Sequence, residues 1–223
     1  MERKIITTSD GSKSLYLPEW EETYHSRHGA VQEAYHVFIR KGLDLFRDEM
    51  ELSILEIGFG TGLNCFITWM EAQRRNLTIH YHGIEGYPVA FELALELEYP
   101  RAMDKEEFNS VFEKLHKEPW NQHVEISNGF SLFKEEIKFQ DFSRINSFDL
   151  VYFDAFGARV QPDLWTVEIF DRMYKGLKEN GVLVTYSAKG SVRRALQTVG
   201  FTVERLPGPP GKREMLRAVK GGK

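Results

Sequence analysis

Gly58, Gly60 and Gly62 alternate with other residues directly after the apolar run 52–57, and Glu56 stands two places before the first of them. A glycine loop that ends a strand and opens a helix lets the backbone approach a nucleotide-like ligand closely. A phosphate-cradling NTPase loop needs Gly-Lys-Ser or Gly-Lys-Thr after a longer glycine spacing, whereas here Gly62 is followed by Leu63 and Asn64. A dinucleotide fingerprint needs glycine or alanine at the sixth place counted from Gly58, and that place is Leu63. Glu56 would repel a pyrophosphate but suits an ammonium group, which the amino-acid end of S-adenosylmethionine presents.

Three further polar residues fall at the ends of strand-like runs. Glu85 closes the run 79–85, where a carboxylate can accept hydrogen bonds from both hydroxyls of a ribose. Asp154 closes the run 148–154 and would face a transferred group; the alternative is a cap for the turn that follows. Asn128 follows the run 123–127 and could offer its amide to an adenine amino group, or belong to an ordinary Asn-Gly turn.

The elements that must position these residues follow from periodicity. Strand-like runs recur at 79–85, 123–127, 148–154, 181–186 and 201–205, with helical patterns at 61–75, 89–98 and 162–177 between several of them. Such alternation predicts an α/β fold with a mostly parallel sheet wrapped on both faces. The segment 212–219 follows a Pro-Gly-Pro-Pro-Gly turn too short for a parallel crossover, so it pairs antiparallel with the strand before it. Residues 1–50 read as a hairpin around Asp10-Gly11 and a helix from about Gly29 to Arg47, with Ser26 as a start signal. Residues 100–120 read as a charged, amphipathic insertion ending at Trp120, and Lys220 to Lys223 as a frayed end.

The totals restrict the function classes. The 223 residues, 42% hydrophobic and 28% charged, suit one soluble domain, 1–223, made of an extension (1–50) and a core (51–219). The single cysteine, Cys65, excludes an intrachain disulfide and a cysteine-based zinc site. With no signal peptide and no long apolar span, the expectation is a cytoplasmic protein without a membrane partner. A net charge of -4 requires any nucleic acid to be met by a local basic patch.

Several stretches together resemble a known family: TSDGS at 8–12, ETYHSRHGA at 22–30 with Glu33 and HVF at 36–38, EIGFGTGLN at 56–64, DAF at 154–156, PDLW at 162–165, TYSAKG at 185–190 with Arg193 and Arg194, and GKREM at 211–215. They are similar to the methyltransferase half of the bifunctional tRNA 5-methylaminomethyl-2-thiouridine biosynthesis family, MnmC. The resemblance implies a class I S-adenosylmethionine-dependent methyltransferase fold, Rossmann-like, with a seven-stranded sheet whose last strand is antiparallel. It implies methyl transfer to the primary amine of 5-aminomethyl(-2-thio)uridine at the tRNA wobble position. The family's second half, an FAD-dependent oxidase, has no counterpart in the sequence, so the expectation is a stand-alone, MnmD-like enzyme, with a separate enzyme supplying the aminomethyl group. Where many relatives have Gly-Asp after the third strand, this chain has Asn128-Gly129.

For that reaction an alkyl ammonium must lose a proton before it can attack. Asp154 is the expected acceptor, with Tyr24 catalytic or pocket-forming beside it and Tyr186 lining the acceptor side; tyrosines at apolar strand ends are also ordinary core residues. Lys189, Arg193, Arg194, Lys212 and Arg213, with Arg27 and His28 across the mouth, could meet tRNA phosphates or form a solvated face. His25 and His28 lack a third ligand at metal spacing, so no metal is expected. Competing readings are a methyltransferase for a small-molecule or protein amine, and a non-catalytic S-adenosylmethionine- or RNA-binding module.

Overall fold

The computed structural model describes residues 1–47 and 49–221. Strands β1 (Lys4–Thr7), β2 (Lys13–Leu17) and β3 (Glu22–Thr23) form a small antiparallel sheet. Helix α1 (Ala30–Ala34) follows and continues as a π-helical turn, Tyr35–Arg40. The single long helix expected over 29–47 is thus short and broken, and Ser26 does not start it. Gly29 stands at the helix start, while Asp10 of the β1–β2 turn reaches across to accept from Gln32 N at 3.0 Å. The remote carboxylate replaces a local cap.

The main sheet is built from β4 (Glu51–Ile57), β5 (Thr78–Glu85), β6 (His123–Ser127), β7 (Phe130–Glu136), β8 (Phe148–Phe153), β9 (Leu177–Thr185), β10 (Phe201–Pro207) and β11 (Glu214–Lys220), in the order β10-β11-β9-β8-β4-β5-β7-β6. Strands β9, β8, β4, β5 and β7 run parallel, while β11 is antiparallel to both its neighbours. Helices α2 (Leu63–Arg75), α3 (Phe91–Leu95), α4 (Tyr99–Ala102), α5 (Asn109–Lys117), α6 (Val167–Gly176) and α7 (Gly190–Val199) supply its covering layers.

The expected count of seven strands is corrected to eight. Asn128-Gly129, with Gly129 at φ +75°, turns the chain tightly, so that β6 becomes an antiparallel edge strand and β7 takes the parallel place beside β5. The frayed end is also shorter than expected: Lys220 lies within β11, is 8% exposed and donates to the Leu177 carbonyl, while residues 222–223 lie outside the described residues.

Both faces of the central strands are buried, as parallel pairing demands. Ile54, Tyr81 and Tyr152 pack with Phe66 of α2 on one face, while Leu55, Val151 and Leu183 pack with Phe170 and Leu196 on the other. The insertion adds α5, whose Phe112 meets Phe66 edge-on at 5.3 Å. The helical pattern at 89–98 is realised only as α3, Phe91–Leu95, with Glu98 at φ +49° setting off α4, and the pattern at 162–177 begins as a 3-10 turn before Thr166 starts α6 by accepting from Ile169 N. The chain runs from β4 outward through β5 to β7, then crosses back to β8 on the other side of β4. The carboxyl ends of β4 and β8 therefore flank the switch point where such sheets bind ligands.

Candidate functional site

The loop between β4 and α2 is held by Gly58 N and Phe59 N, which both donate to Ile84 O at 3.0 Å. Gly58 has φ +93°, and a Cβ there would meet Asp154 O at 2.8 Å, so glycine alone permits this approach of the two strand ends. Glu85 ends β5 and grips the same loop: Oε2 accepts from Gly60 N at 3.0 Å and Oε1 from Tyr87 N at 2.9 Å. Burial pushes its carboxyl upward, against the pull of those amides.

Asn64, in the first turn of α2, links two acids. Its Nδ2 donates to Glu56 Oε1 at 2.9 Å and to Asp154 Oδ2 at 2.8 Å, while Tyr81 Oη donates to Glu56 Oε2 at 2.8 Å. Glu56 is 1% exposed, and burial raises its carboxyl well above the ordinary range. Burial does the same to Asp154, with the Glu33 charge adding to it. Asn64 Oδ1 is buried without a protein partner, and Asn64 helps to line a cavity of about 1110 Å³.

The N-terminal segment closes this cavity. The Tyr24 ring lies against Gly60 and meets Phe156 edge-on at 4.8 Å, and Trp20 meets Phe156 at 5.5 Å. Burial lifts the Tyr24 hydroxyl to about 12. Arg159 donates to the Trp20 and Glu21 carbonyls and pairs with Glu22, while Arg3 donates to the Tyr87 and Pro88 carbonyls. His25 is buried between Ser14 (3.3 Å) and Thr61 (3.4 Å), and burial pushes its pKa down to about 4. From the C-terminal hairpin, Lys212 forms an ion pair with Glu33 and lies 3.9 Å from the centre of the Tyr186 ring, whose hydroxyl donates to Ala155 O at 2.8 Å.

Among the expected site residues, Gly58, Gly60, Glu85, Asp154, Tyr24, Tyr186, Lys189 and Lys212 meet in this one cavity. Two expectations are corrected. Asn128 lies at the opposite end of the sheet: Gly129 O accepts from Ile79 N at the start of β5, and the loop that follows the third parallel strand at the site end is 136–140. Glu56 is not among the residues that line the cavity; it is 1% exposed, with its two carboxylate oxygens accepting from Asn64 and Tyr81. Gly62 sits behind the loop, where a Cβ would meet His116 Nε2 at 2.7 Å. Arg194 and Arg213 are exposed outside the cavity, and Arg193 has a buried Nε without a partner. His28 packs on Gly211, joining the N-terminal segment to the C-terminal hairpin.

Sequence reasoning passed over Asn64, Glu33, Arg3, Trp20 and Phe156 as site residues. Asn64 carried one signal, a buried-side polar residue between the apolar Leu63 and Cys65 in the first turn of the helix that the glycine loop opens. Among the described residues, no group of three or more His, Cys, Asp or Glu side chains could hold a metal ion, and no helix is long and apolar enough to cross a membrane.

A parallel sheet with an antiparallel final strand, a glycine loop at its switch point and an acid closing the next strand define a class I S-adenosylmethionine-dependent methyltransferase. Residues 106–221 match the family described as S-adenosyl-L-methionine-dependent methyltransferase, and the chain belongs to that family. It is similar to the tRNA 5-methylaminomethyl-2-thiouridine biosynthesis bifunctional protein MnmC of Leptospira interrogans, with 30% identity over 212 residues, 89% of this chain and 32% of that protein. The MnmC protein of Burkholderia mallei is 31% identical over 231 residues, covering 95% of this chain and 34% of that one. The chain thus spans about a third of the length of the curated relatives it matches. Among solved structures, MNMC2 from Aquifex aeolicus superposes with a TM-score of 0.79 at 25% identity, covering 100% of this chain and 71% of that one. Spermidine synthase from Thermotoga maritima shares the fold, with a TM-score of 0.54 at 16% identity, over 98% of this chain and 70% of that one.

S-adenosylmethionine is the family's cofactor, and the residues present fit it. Glu85 lines the cavity with a carboxylate able to accept from ribose hydroxyls, the left-handed backbone at Gly58 and Gly60 admits close approach, and Asn64, whose Oδ1 has no protein partner, lines the same cavity.

Proposed function

We propose that this enzyme methylates the primary amine of 5-aminomethyl(-2-thio)uridine at the wobble position of tRNA, giving 5-methylaminomethyl(-2-thio)uridine. The observation that carries the reading is the placement of Asp154. A buried carboxyl, raised in pKa, stands beside the cofactor loop in a cavity walled by Tyr24, Phe156 and Tyr186. The matched relatives named for 5-methylaminomethyl-2-thiouridine biosynthesis supply the acceptor.

S-adenosylmethionine, when bound, supplies an electrophilic methyl group on a sulfonium. Glu85, Gly58, Gly60 and Asn64 would hold it, and residues of the loop 136–140 line the same cavity. Asp154 takes one proton from the substrate ammonium, freeing the nitrogen lone pair for attack, and becomes a neutral carboxyl. Its raised pKa makes that transfer less uphill than it would be to an ordinary carboxylate. Tyr24 and Tyr186 shape the pocket, and their hydroxyls stay protonated because burial raises both. Holding amine and methyl in contact supplies much of the acceleration.

A wobble base must leave the anticodon stack to enter this cavity, and the aromatic wall formed by Trp20, Tyr24 and Phe156 suits a nucleobase face. Lys189 at the rim, with Arg193, Arg194 and Arg213 outside it, meets the phosphates. Residues 1–223 work as one methyltransferase domain, since the extension 1–50 furnishes a wall of the cavity. The protein acts in the cytoplasm, after a separate enzyme has installed the aminomethyl group.

Replacing Asp154 by Asn tests the catalytic assignment. The variant should bind S-adenosylmethionine by calorimetry, yet methylate aminomethyl-tRNA about 10²–10⁴-fold more slowly. A wild-type rate would remove Asp154 from the chemistry.

A further inference from the structure

Three charged side chains from distant parts of the chain face the same cavity: Asp154 after β8, Glu33 in α1 and Lys212 in the hairpin between β10 and β11. Glu33 and Lys212 form an ion pair across 179 residues of sequence. The Glu33 side chain is 8% exposed, and its other oxygen accepts from Ser26 N at 2.7 Å, whereas the Lys212 side chain is 32% exposed and lies over the Tyr186 ring. The carboxylate is therefore held rigidly from behind, and the ammonium is the more exposed partner. Surface ion pairs contribute little to stability, but this one is partly buried, shares its cavity with Asp154, and touches Tyr186, whose hydroxyl donates to the carbonyl of the next residue, Ala155; charges so placed interact through a lower dielectric than water.

We propose that the Glu33–Lys212 ion pair, seated in the same cavity as Asp154, is a positioning device for the field at that carboxylate, its two halves acting in opposite directions. This deepens the amine-methyltransferase reading and rests on it. A second carboxylate disfavours the charged form of Asp154, and an ammonium favours it, so the two halves of the pair act on it in opposite senses. Burial raises Asp154 first, Glu33 is the strongest neighbouring charge adding to the rise, and Lys212 opposes it. The other titratable groups around this centre are His25, held neutral by burial, Tyr24, Tyr186, Glu85, and Glu56 behind Asn64. Lys189, which is exposed, and Glu22, which pairs with Arg159, also line the cavity.

The pair makes a prediction that a purely structural contact does not: its two halves shift Asp154 in opposite directions. Carboxyl resonances of the full-length protein labelled with 13C-aspartate, with Asp154 assigned through Asp154→Asn, report its titration without any substrate. Glu33→Gln should lower the Asp154 midpoint by about one pH unit, roughly tenfold in its acid-to-base ratio. Lys212→Met should raise it by about as much, and the double variant should return it close to wild type. The acid limb of the kcat/KM profile on aminomethyl-tRNA should follow the same shifts. A midpoint unmoved in both variants, or moved the same way in both, overturns the proposal. Wild-type enzyme that fails to methylate aminomethyl-tRNA overturns the functional reading instead, and the titration still reports on the pair.

Discussion

Asn64 donates to Asp154 at 2.8 Å from the same amide nitrogen that it gives to Glu56 at 2.9 Å. Two buried acids of raised pKa thus share one neutral donor, and the carbonyl oxygen of the same side chain has no protein partner. Asn64→Ala removes the donor from both acids. We expect a loss of about 1–3 kcal/mol of stability, because Asp154 loses its donor and Glu56 keeps only Tyr81, read by denaturant unfolding. Affinity for S-adenosylmethionine should fall roughly tenfold, a change of about 1.4 kcal/mol measurable by calorimetry.

Gly58 and Gly11 both have positive φ, +93° and +84°, but only Gly58 has a neighbour where a Cβ would stand. Gly11→Ala should cost about 1 kcal/mol of backbone strain and leave activity alone. Gly58→Ala adds a clash with the Asp154 carbonyl, so cofactor binding and kcat should both fall well beyond what the stability loss explains. Equal effects from the two substitutions would show that strain alone governs the loop.

The pH dependence of folding has a signature at His25. Its pKa is pushed from an ordinary 6.5 down to about 4 by burial, so the unfolded chain binds a proton there that the folded chain refuses. Stability from this site is fully present above pH ~6.5 and is lost as pH falls toward ~4. The loss between pH 7 and 4.5 amounts to about 2 kcal/mol. Glu56, Glu85 and Asp154 are raised and work in the opposite sense, so the comparison must be made within a pair of proteins. The stability of His25→Asn should fall about 2 kcal/mol less than that of wild type over this range; parallel curves would refute the assignment.

Arg194 and Arg213 are exposed outside the cavity, whereas Lys212 is committed to Glu33 inside it. Substituting either arginine by alanine should weaken tRNA binding and reduce the slope of log affinity against log salt by about one. S-adenosylmethionine affinity should be unchanged. Arginines on a merely solvated face would leave the salt slope as it was.

The parallel core was legible because its strands are buried on both faces and leave nearly unbroken apolar runs, as in 52–57 and 148–153. Glu85 and Asp154 stood out because an acid ending such a run has few reasons to be there. Asn128 misled because the local pattern of a hairpin and that of a strand end at the site are the same few residues; β7 decides between them, and its alternating burial gives it a weaker signal. Glu56 misled for a different reason. Its position beside the glycine loop is visible in the sequence, but the Asn64 side chain eight residues on that walls it off is a tertiary contact. The inward turn of Lys212 toward Glu33 likewise joins residues 179 apart, beyond the reach of any spacing rule. The π-helical turn at Tyr35–Arg40 has no sequence signal that we can name.

The most direct test of the central claim is methyl transfer from labelled S-adenosylmethionine into tRNA carrying 5-aminomethyluridine, with unmodified tRNA and free small amines in parallel, followed by nucleoside mass analysis. The account predicts label in the modified tRNA alone, recovered as 5-methylaminomethyluridine. Label in the free amines but none in that tRNA, or none in any acceptor from a protein that binds the cofactor, would contradict it.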